Sequence, residues 1–302
     1  MKRLGIAVTD PDDWTAKSFV ESAKRKGIEA CAIDLREAKA DINDHLSYNT
    51  GSMDLKELDA LIVRDMGTGK NDSVTFRFDI LRQLETEGTA VINPSSAIQN
   101  AANKYHCSYL FSRAGIPIPE TRVVQDPKTA MKTLEYFQDA VLKPVFGYKG
   151  IGISRIKDGE IIKPDGTNGG EGVEELVKSV LEEKGMIFIQ EFVESSGRDI
   201  RAFVIDGEVV GSIYRQAAEG WWLSNLSQGG SPAKCMLSDE QEEMCIKASE
   251  AVGTVFAGVD IIEGPEGSRV LEINATPSGA GIYSAWNIDV TERIIESVLK
   301  LT

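Results

Sequence analysis

Ala257-Gly258-Val259-Asp260-Ile261-Ile262, a Gly/Pro-rich break over 263–268, and then Arg269-Val270-Leu271-Glu272-Ile273-Asn274-Ala275-Thr276-Pro277 form the stretch on which the reading of this chain turns. Two apolar runs around a short turn-forming segment predict a β-hairpin. Glu272 and Asn274 stand two residues apart, so on a strand both face one side. If the hairpin pairs Asp260 with Glu272, three oxygen ligands gather on one patch while their apolar neighbours face away. Carboxylates and a carboxamide without His or Cys suit Mg²⁺, which takes few protein oxygens and completes its octahedron with water and nucleotide phosphates. An isolated E-x-N would equally suit polar alternation on a surface hairpin, so the remaining sequence has to decide.

The 302 residues, 42% hydrophobic and 26% charged, are enough for sizeable cores and about two domains. No apolar run approaches the roughly 20 residues of a membrane span. The opening Met1-Lys2-Arg3-Leu4-Gly5-Ile6-Ala7-Val8 leads at once into Thr9-Asp10-Pro11-Asp12-Asp13, too short and too soon acidic for a signal peptide, which predicts a cytoplasmic protein. Cys31, Cys107, Cys235 and Cys245 are scattered and form no C-x-x-C pair, so reduced thiols and no structural zinc are expected. A net charge of −14 argues against nucleic acid or an anionic membrane as partner and leaves room for a local basic pocket.

Residues 1–95 alternate short apolar strands with helical patterns: strands at 4–8, 29–34, 60–64 and 90–93, helices at 14–26 and 73–87. Such alternation implies an α/β unit with a parallel sheet. No G-x-G-x-x-G follows the first strand, which leaves a dinucleotide site unsupported. The loop from Arg64 to Lys70, at the carboxyl end of a strand, lies where open α/β sheets bind ligands and equally suits a plain connection.

From Ser95 a second unit begins, with Ser95 or Ser96 as cap of a helix through Lys104 to Arg113, stopped by Gly115 and Pro117. Strands at 120–124 and 140–144 flank a helix at 129–137. Lys143 then precedes a loop with Gly147, Gly150 and Gly152, side-chain-poor enough for its N–H groups to approach phosphate oxygens, although a hairpin loop with a solvated lysine reads the same way. A buried strand at Ile187 to Val193 is followed by a strand carrying Asp199 and Arg201 on one face, and a return strand delivers Arg215. Two arginine forks on adjacent strands can chelate phosphate or carboxylate, or be ordinary exposed charge. Trp221 and Trp222 open a loop ending in Gly229 and Gly230, and 238–252 is an amphipathic helix with acidic first turns.

The order of these parts is more telling than any one of them. A lysine before a Gly-rich loop, Gln190-Glu191-Phe192-Val193, Asp199-Ile200-Arg201, an arginine-ended strand, Ser224-Asn225 followed by Gly229-Gly230, and then G-V-D with L-E-I-N resemble the ATP-grasp ligases, within them the RimK-like branch. The resemblance covers 95–302. It implies an α/β ATP-grasp fold of two α+β lobes holding ATP, at 96–190 and 191–302, the second with the Mg²⁺ site, preceded by a Rossmann-like pre-ATP-grasp domain at 1–95. Carried over residue by residue, it implies that Lys104 and Lys143 contact the phosphates and the adenine edge, with Gly147 and Gly150 in the loop above. Gln190 belongs to the same nucleotide site, Glu191, Phe192 and Val193 form the adenine hinge, Asp199 sits near the nucleotide, and Ser224 and Asn225 reach its phosphate end. Asp260, Glu272 and Asn274 become ligands for Mg²⁺, two ions in all, with Mn²⁺ able to substitute. Arg201 and Arg215 face the reacting phosphoryl group.

In the ribosomal-protein glutamate ligases of this branch the loop reads roughly F-R-S-N-L-H-R-G-G, whereas here Leu223 and Gln228 replace both arginines. Trp222 is closer to the small-molecule and lysine-pathway members. The expectation is therefore L-glutamate added to a small coenzyme or metabolite, tetrahydromethanopterin-like, with Trp222, Gln228, Gly229 and Gly230 meeting the acceptor; Trp222 can instead be a packing residue. A ribosomal-protein ligase, a lysine-pathway carrier-protein ligase and a D-alanine-type ligase are the alternatives among enzymes. A non-catalytic ATP-binding regulator is the alternative of another class, and the intact metal triad speaks against it. ATP would phosphorylate a carboxylate and an amine would attack the acylphosphate, with no His needed. A homo-oligomer, dimer or tetramer, is expected.

Overall fold

The computed structural model describes residues 2–44, 46–51, 53–147, 150–170, 172–224 and 231–301. The first 93 residues place β1 (Arg3–Ala7), α1 (Trp14–Arg25), β2 (Glu29–Ile33), β3 (Ala38–Asp41), β4 (Ser47–Thr50), β5 (Met53–Asp54), β6 (Ala60–Val63), α2 (Asn71–Thr86) and β7 (Ala90–Ile92). Four strands form a parallel sheet in the order β2-β1-β6-β7. The small antiparallel sheet β3-β4-β5 had no counterpart in the sequence reading: Ala38-Lys39-Ala40-Asp41 and Ser47-Tyr48-Asn49-Thr50 carry little apolar alternation. α1 starts where Asp13 accepts from the Ala16 N–H and ends before Gly27 at φ +71°.

The expected single helix from Ser95 to Arg113 is two, α3 (Ser95–Ala102) and α4 (Lys104–Arg113). Asn103 leaves helical geometry at ψ 96° and its side chain caps α4 by accepting from the His106 N–H. Neither Ser95 nor Ser96 caps α3: Pro94 holds the N-cap position, and Ser95 donates through N–H and hydroxyl to the Glu85 carboxylate of α2. A second correction concerns the lobe at 96–190. Cys107, Phe111 and Ile116 bury themselves with Ile200, Met244 and Val259, so this helical pair packs on the C-terminal sheet rather than with the sheet that follows it.

That middle sheet, β11-β10-β9-β12-β8, is built from β8 (Thr121–Val124), β9 (Asp139–Lys143), β10 (Ser154–Lys157), β11 (Glu160–Ile162) and β12 (Ile187–Glu191). α5 (Pro127–Phe137) and α6 (Val173–Lys184) cover one face, and their core draws only on residues 124–189. The C-terminal sheet, β15-β14-β13-β16-β17, holds β13 (Arg198–Ile205), β14 (Glu208–Gln216), β15 (Ser231–Lys234), β16 (Phe256–Gly264) and β17 (Gly267–Asn274). α7 (Asp239–Val252) packs behind it, opened by a Ser238–Gln241 capping box, and α8 (Ala280–Trp286) and α9 (Val290–Leu301) close the chain. Among the described residues no helix is long and apolar enough to cross a membrane.

The front face of β13 carries Asp199, Arg201, Phe203 and Ile205, polar at one end and apolar at the other. Its apolar end joins Leu4, Ile6 and Phe19 in one core, with the Phe203 and Phe256 rings stacked at 6.5 Å. The parallel domain and the C-terminal lobe therefore share a core instead of meeting across a linker. Asn93, fully buried at the end of β7, pins the junction. Its amide donates to the Phe256 and Ala275 carbonyls at 2.8 and 2.5 Å, and its carbonyl accepts from the Val255 and Phe256 N–H groups at 2.6 and 3.1 Å. Both donors and both lone pairs are used. Arg64 adds a second tie, donating to Asp13 and to the Thr276 carbonyl at 2.9 Å, so it takes part in the contact between units. Asn93→Ala strands four backbone groups in the interior and is expected to cost about 3 kcal/mol, read as a lower urea midpoint; a change under about 0.5 kcal/mol would remove Asn93 from the junction.

Candidate active site

The cleft lies between the middle and C-terminal sheets and is open to solvent. On its C-terminal wall the hairpin takes the pairing on which the metal reading depended: Asp260 opposite Glu272, with Asn274 opposite Gly258 on the same face. A register shift after Asp260 pairs Ile261 with Val270, leaving Leu271 as the extra residue of a bulge. Bulges re-aim side chains, and here both Leu271 and Glu272 line the cleft. Gly258 is glycine for a steric reason: a Cβ there would stand 2.9 Å from Arg201 Cδ and 3.1 Å from Pro277 Cβ.

Cross-strand pairing sets Arg201 beside Asp260 and Asp199 beside Arg215. Arg201 grips Asp260 with Nε and, at 2.8 Å, Nη2. Arg215 grips Asp199 at 2.7 and 2.5 Å and reaches Asp260 with Nη2 at 2.8 Å. Burial alone would raise the Asp260 carboxyl, but the two guanidiniums outweigh it and hold it below the ordinary carboxylate range. Burial, joined by the Asp260 charge, pushes Asp199 up against the pull of Arg215. For Arg215, burial is outweighed by Asp260 and Asp199, which keep it protonated. The nearby buried Ser224 hydroxyl also acts to lower the Asp199 carboxyl.

The opposite wall comes from β9, β12 and the Gly loop. Lys143 lies on β9 and donates to Gln190 Oε1 at 2.6 Å, while Gln190 donates to Thr121 at 3.0 Å. Burial is the main force on Lys143 and lowers its pKa to about 8, against the opposing pull of Glu272. Lys104, first residue of α4 because Asn103 breaks the helix, bonds Val145 O through its N–H and Gly147 O through Nζ, and pairs with Glu272 at 3.3 Å. Gly147 has no room for a Cβ, which would sit 2.5 Å from Pro144 Cγ, and Gly150 takes φ +75°. Both line the cleft. Lys104, Lys143 and Arg215 on the walls, with Arg201 just behind them, face Glu191, Asp199, Asp260 and Glu272, a concentration of cations in a chain of net charge −14.

Of the residues singled out from sequence, the cleft gathers Lys104, Lys143, Gly147, Gly150, Gln190, Glu191, Phe192, Val193, Asp199, Arg215, Trp222, Ser224, Asp260 and Glu272 along its walls. Arg201 stands one bond away, on Asp260. Asn274 does not line the cleft; its Oδ1 accepts from the Thr276 N–H at 2.8 Å. Glu191 has its carboxylate committed elsewhere, to the Glu120 N–H and to Arg269 of β17, so only its main chain is left to face a ligand. Trp222 stands edge-on to Phe192 at the hinge. Asn225, Gln228, Gly229 and Gly230 lie outside the described residues. Asn93, Asp139, Arg155 and Arg269 escaped sequence reading, because each acts through a partner distant in the chain.

Comparison with known proteins fits this geometry. Residues 101–298 match the RimK-like ATP-grasp domain and residues 2–98 the RimK PreATP-grasp domain. The chain belongs to the RimK-like ATP-grasp family. It is 52% identical to a tetrahydromethanopterin:alpha-L-glutamate ligase of Methanosarcina acetivorans, with 98% of each chain covered. It is 34% identical to the ligase of that name from Methanocaldococcus jannaschii, over 99% of this chain and 98% of the other. In fold it is similar to the D-cycloserine synthetase DcsG, with TM-score 0.74, 18% identity, and 99% and 100% of the two chains covered. As a RimK-like ATP-grasp protein it is an ATP-dependent amino-acid ligase, as the motif order implied.

A lysine is charged below its pKa, so affinity of the metal-free cleft for tripolyphosphate is expected to fall as pH rises through about 8, by up to about tenfold per unit. Lys143→Met should weaken binding at pH 7 and flatten that slope; an unchanged slope in titration calorimetry would assign it to another group.

Proposed function

We propose that the cleft binds ATP, with adenine against the main chain of Glu191 to Val193 and the phosphates among Lys104, Lys143, Arg201 and Arg215, and that the enzyme adds L-glutamate to the carboxylate of a tetrahydromethanopterin-like coenzyme. The 52% identity spanning both chains supports this acceptor over a protein tail. Leu223 on the cleft wall, where a protein-tail ligase carries arginine, supports it from the residue side.

The donor set fits Mg²⁺ in chemistry. Asp260 and Glu272 supply carboxylate oxygens from adjacent strands, and Asn274, on the same face, would join them on giving up its bond from the Thr276 N–H. Among the described residues no three His, Cys, Asp or Glu side chains gather to hold a metal by themselves, so the nucleotide phosphates have to complete the shell. When bound, Mg²⁺ would neutralise phosphate charge and polarise the transferring phosphoryl group; Mn²⁺ is proposed to substitute, and two ions to bind.

The chain's own residues do the remainder. Lys104 and Lys143 hold the phosphates so that the acceptor carboxylate attacks in line. Arg201 and Arg215 bear the negative charge that develops as glutamate nitrogen attacks the acylphosphate and phosphate departs. Gly147, its carbonyl held by Lys104, and Gly150 border the site on this side and help to keep water from the acylphosphate. A cytoplasmic homo-oligomer, dimer or tetramer, completes the proposal.

Incubation with Mg-ATP, glutamate and tetrahydromethanopterin-type acceptors should yield product heavier by one glutamyl unit with release of ADP, and efficient glutamylation of acidic peptides instead would overturn the acceptor assignment. Glu272→Gln, which keeps shape and removes charge, should lower turnover on the order of a hundredfold with Tm changed by at most ~2 °C; near-normal turnover would take Glu272 out of the site. Since guanidiniums occupy both Asp260 oxygens and Lys104 pairs with Glu272, Mn²⁺ should bind only together with nucleotide. Its electron paramagnetic signal reads this directly, and tight binding of free Mn²⁺ would contradict it.

A further inference from the structure

Beside the charged network, the cleft contains an aromatic arrangement that the motifs do not assign. Phe192 follows β12, half-exposed to the cleft, with its N–H bonded to the Asp139 carbonyl at 3.0 Å. The Arg155 guanidinium lies over its ring, 3.4 Å from the centroid. Asp139 fixes the guanidinium plane with two bonds, Nε to Oδ1 at 2.8 Å and Nη2 to Oδ2 at 2.6 Å. A forked, charge-assisted pair of this kind sets orientation as well as position. On another side the Trp222 indole meets the same ring edge-on, at 6.1 Å and 83°.

Trp222 also bridges the two lobes. Its indole N–H donates to the Lys163 carbonyl at 2.7 Å and its backbone N–H to the Pro164 carbonyl at 3.1 Å, so both of its donors end on consecutive residues of the turn after β11. That turn and the loop carrying Trp222 pack closely. A Cβ on Gly166, whose φ is +80°, would come within 3.0 Å of the Gly220 carbonyl.

We propose that Arg155 and Trp222 are positioning residues for the nucleotide base: they fix the Phe192 ring from two sides, and Trp222 clasps the lobes together above it. This rests on the nucleotide reading of the cleft and moves Trp222 from acceptor recognition to the base end of the site. The guanidinium covers one ring face and the indole abuts the ring, so Phe192 keeps one orientation and presents a fixed wall to the base. Among the described residues the polar and ring partners of Arg155 and Trp222 are Asp139, Phe192, Lys163 and Pro164 rather than the lysines and arginines assigned to the phosphates, so their loss is felt by ligands with a base and not by those without one.

Calorimetry of ADP and of inorganic tripolyphosphate against Trp222→Ala, Trp222→Phe, Arg155→Ala and Arg155→Lys tests this. Both alanine variants should weaken ADP about tenfold and tripolyphosphate less than about twofold, its retained binding showing the site still folded. Trp222→Phe, which keeps a ring but loses the N–H, and Arg155→Lys, which keeps charge but loses the fork, should fall between. KM for acceptor and for glutamate should stay put. Equal weakening of ADP and tripolyphosphate, or a rise in acceptor KM with ADP affinity intact, would overturn the proposal. Failure of the unaltered enzyme to bind ADP would instead overturn the nucleotide reading of the cleft.

Discussion

The carboxylate of Asp260, 2% exposed and held by two arginines, is the constraint around which the site is arranged. An unpaired charge at that depth would be expelled or neutralised, and removing one partner of such a network typically costs about 3–5 kcal/mol. The pairing is possible only because β13, β14 and β16 lie side by side in registers that set Asp199 against Arg215 and Arg201 against Asp260. Gly258 follows from it, since Arg201 reaches Asp260 over a residue with no side chain. The network also readies the site. With the function proposed above, the phosphate oxygens would compete with Asp260 and Asp199 for the two guanidiniums.

Rigidity is distributed unevenly around this network. The parallel domain and the C-terminal lobe share one core, locked further by the saturated Asn93 amide and by Arg64, so they form a continuous base. The middle sheet keeps a core of its own. Its polar ties to the base among the described residues include Arg269 to Glu191, Lys104 to Val145 and Gly147, and Trp222 to the turn after β11. Glu191, Gly147, Lys104 and Trp222 of these pairs line the cleft, so the contacts between the lobes and the walls of the site are formed by the same residues.

How far the sequence could be read follows from the range of the interactions. The hairpin from Phe256 to Asn274 was legible because alternation and turn chemistry are local, and period two alone puts Glu272 and Asn274 on one face, whereas Asp260 joins them only through the register that the bulge sets. The bulge at Leu271 was not, since nothing in an apolar run marks which residue is left over. The break at Asn103 was hidden because a helical pattern continues through it, although Asn is a cap former, and the N-cap fell to Pro94 because Ser95 found Glu85 in another element. Trp222 illustrates the remaining difficulty. Its residue type advertised an aromatic contact, and the partner turned out to be Phe192, 30 positions earlier, with a carbonyl from a different lobe fixing the indole N–H.

Charge finally constrains what can reach this cleft. A net charge of −14 repels long polyanions from the surface as a whole, and with a Debye length of about 8 Å at physiological ionic strength the four cations of the cleft cannot offset that field beyond their immediate surroundings. Nucleotide phosphates experience those cations because they enter the cleft itself. A chain of repeated carboxylates, as in an acidic protein tail, would extend well past that range and meet like charge on leaving it. With the function proposed above, a small acceptor with its reactive carboxylate at one end would place only that end among Lys104, Lys143, Arg201 and Arg215. Leucine at position 223 then costs such an acceptor nothing, whereas a polyanionic tail would need an arginine fork at that point to remain bound.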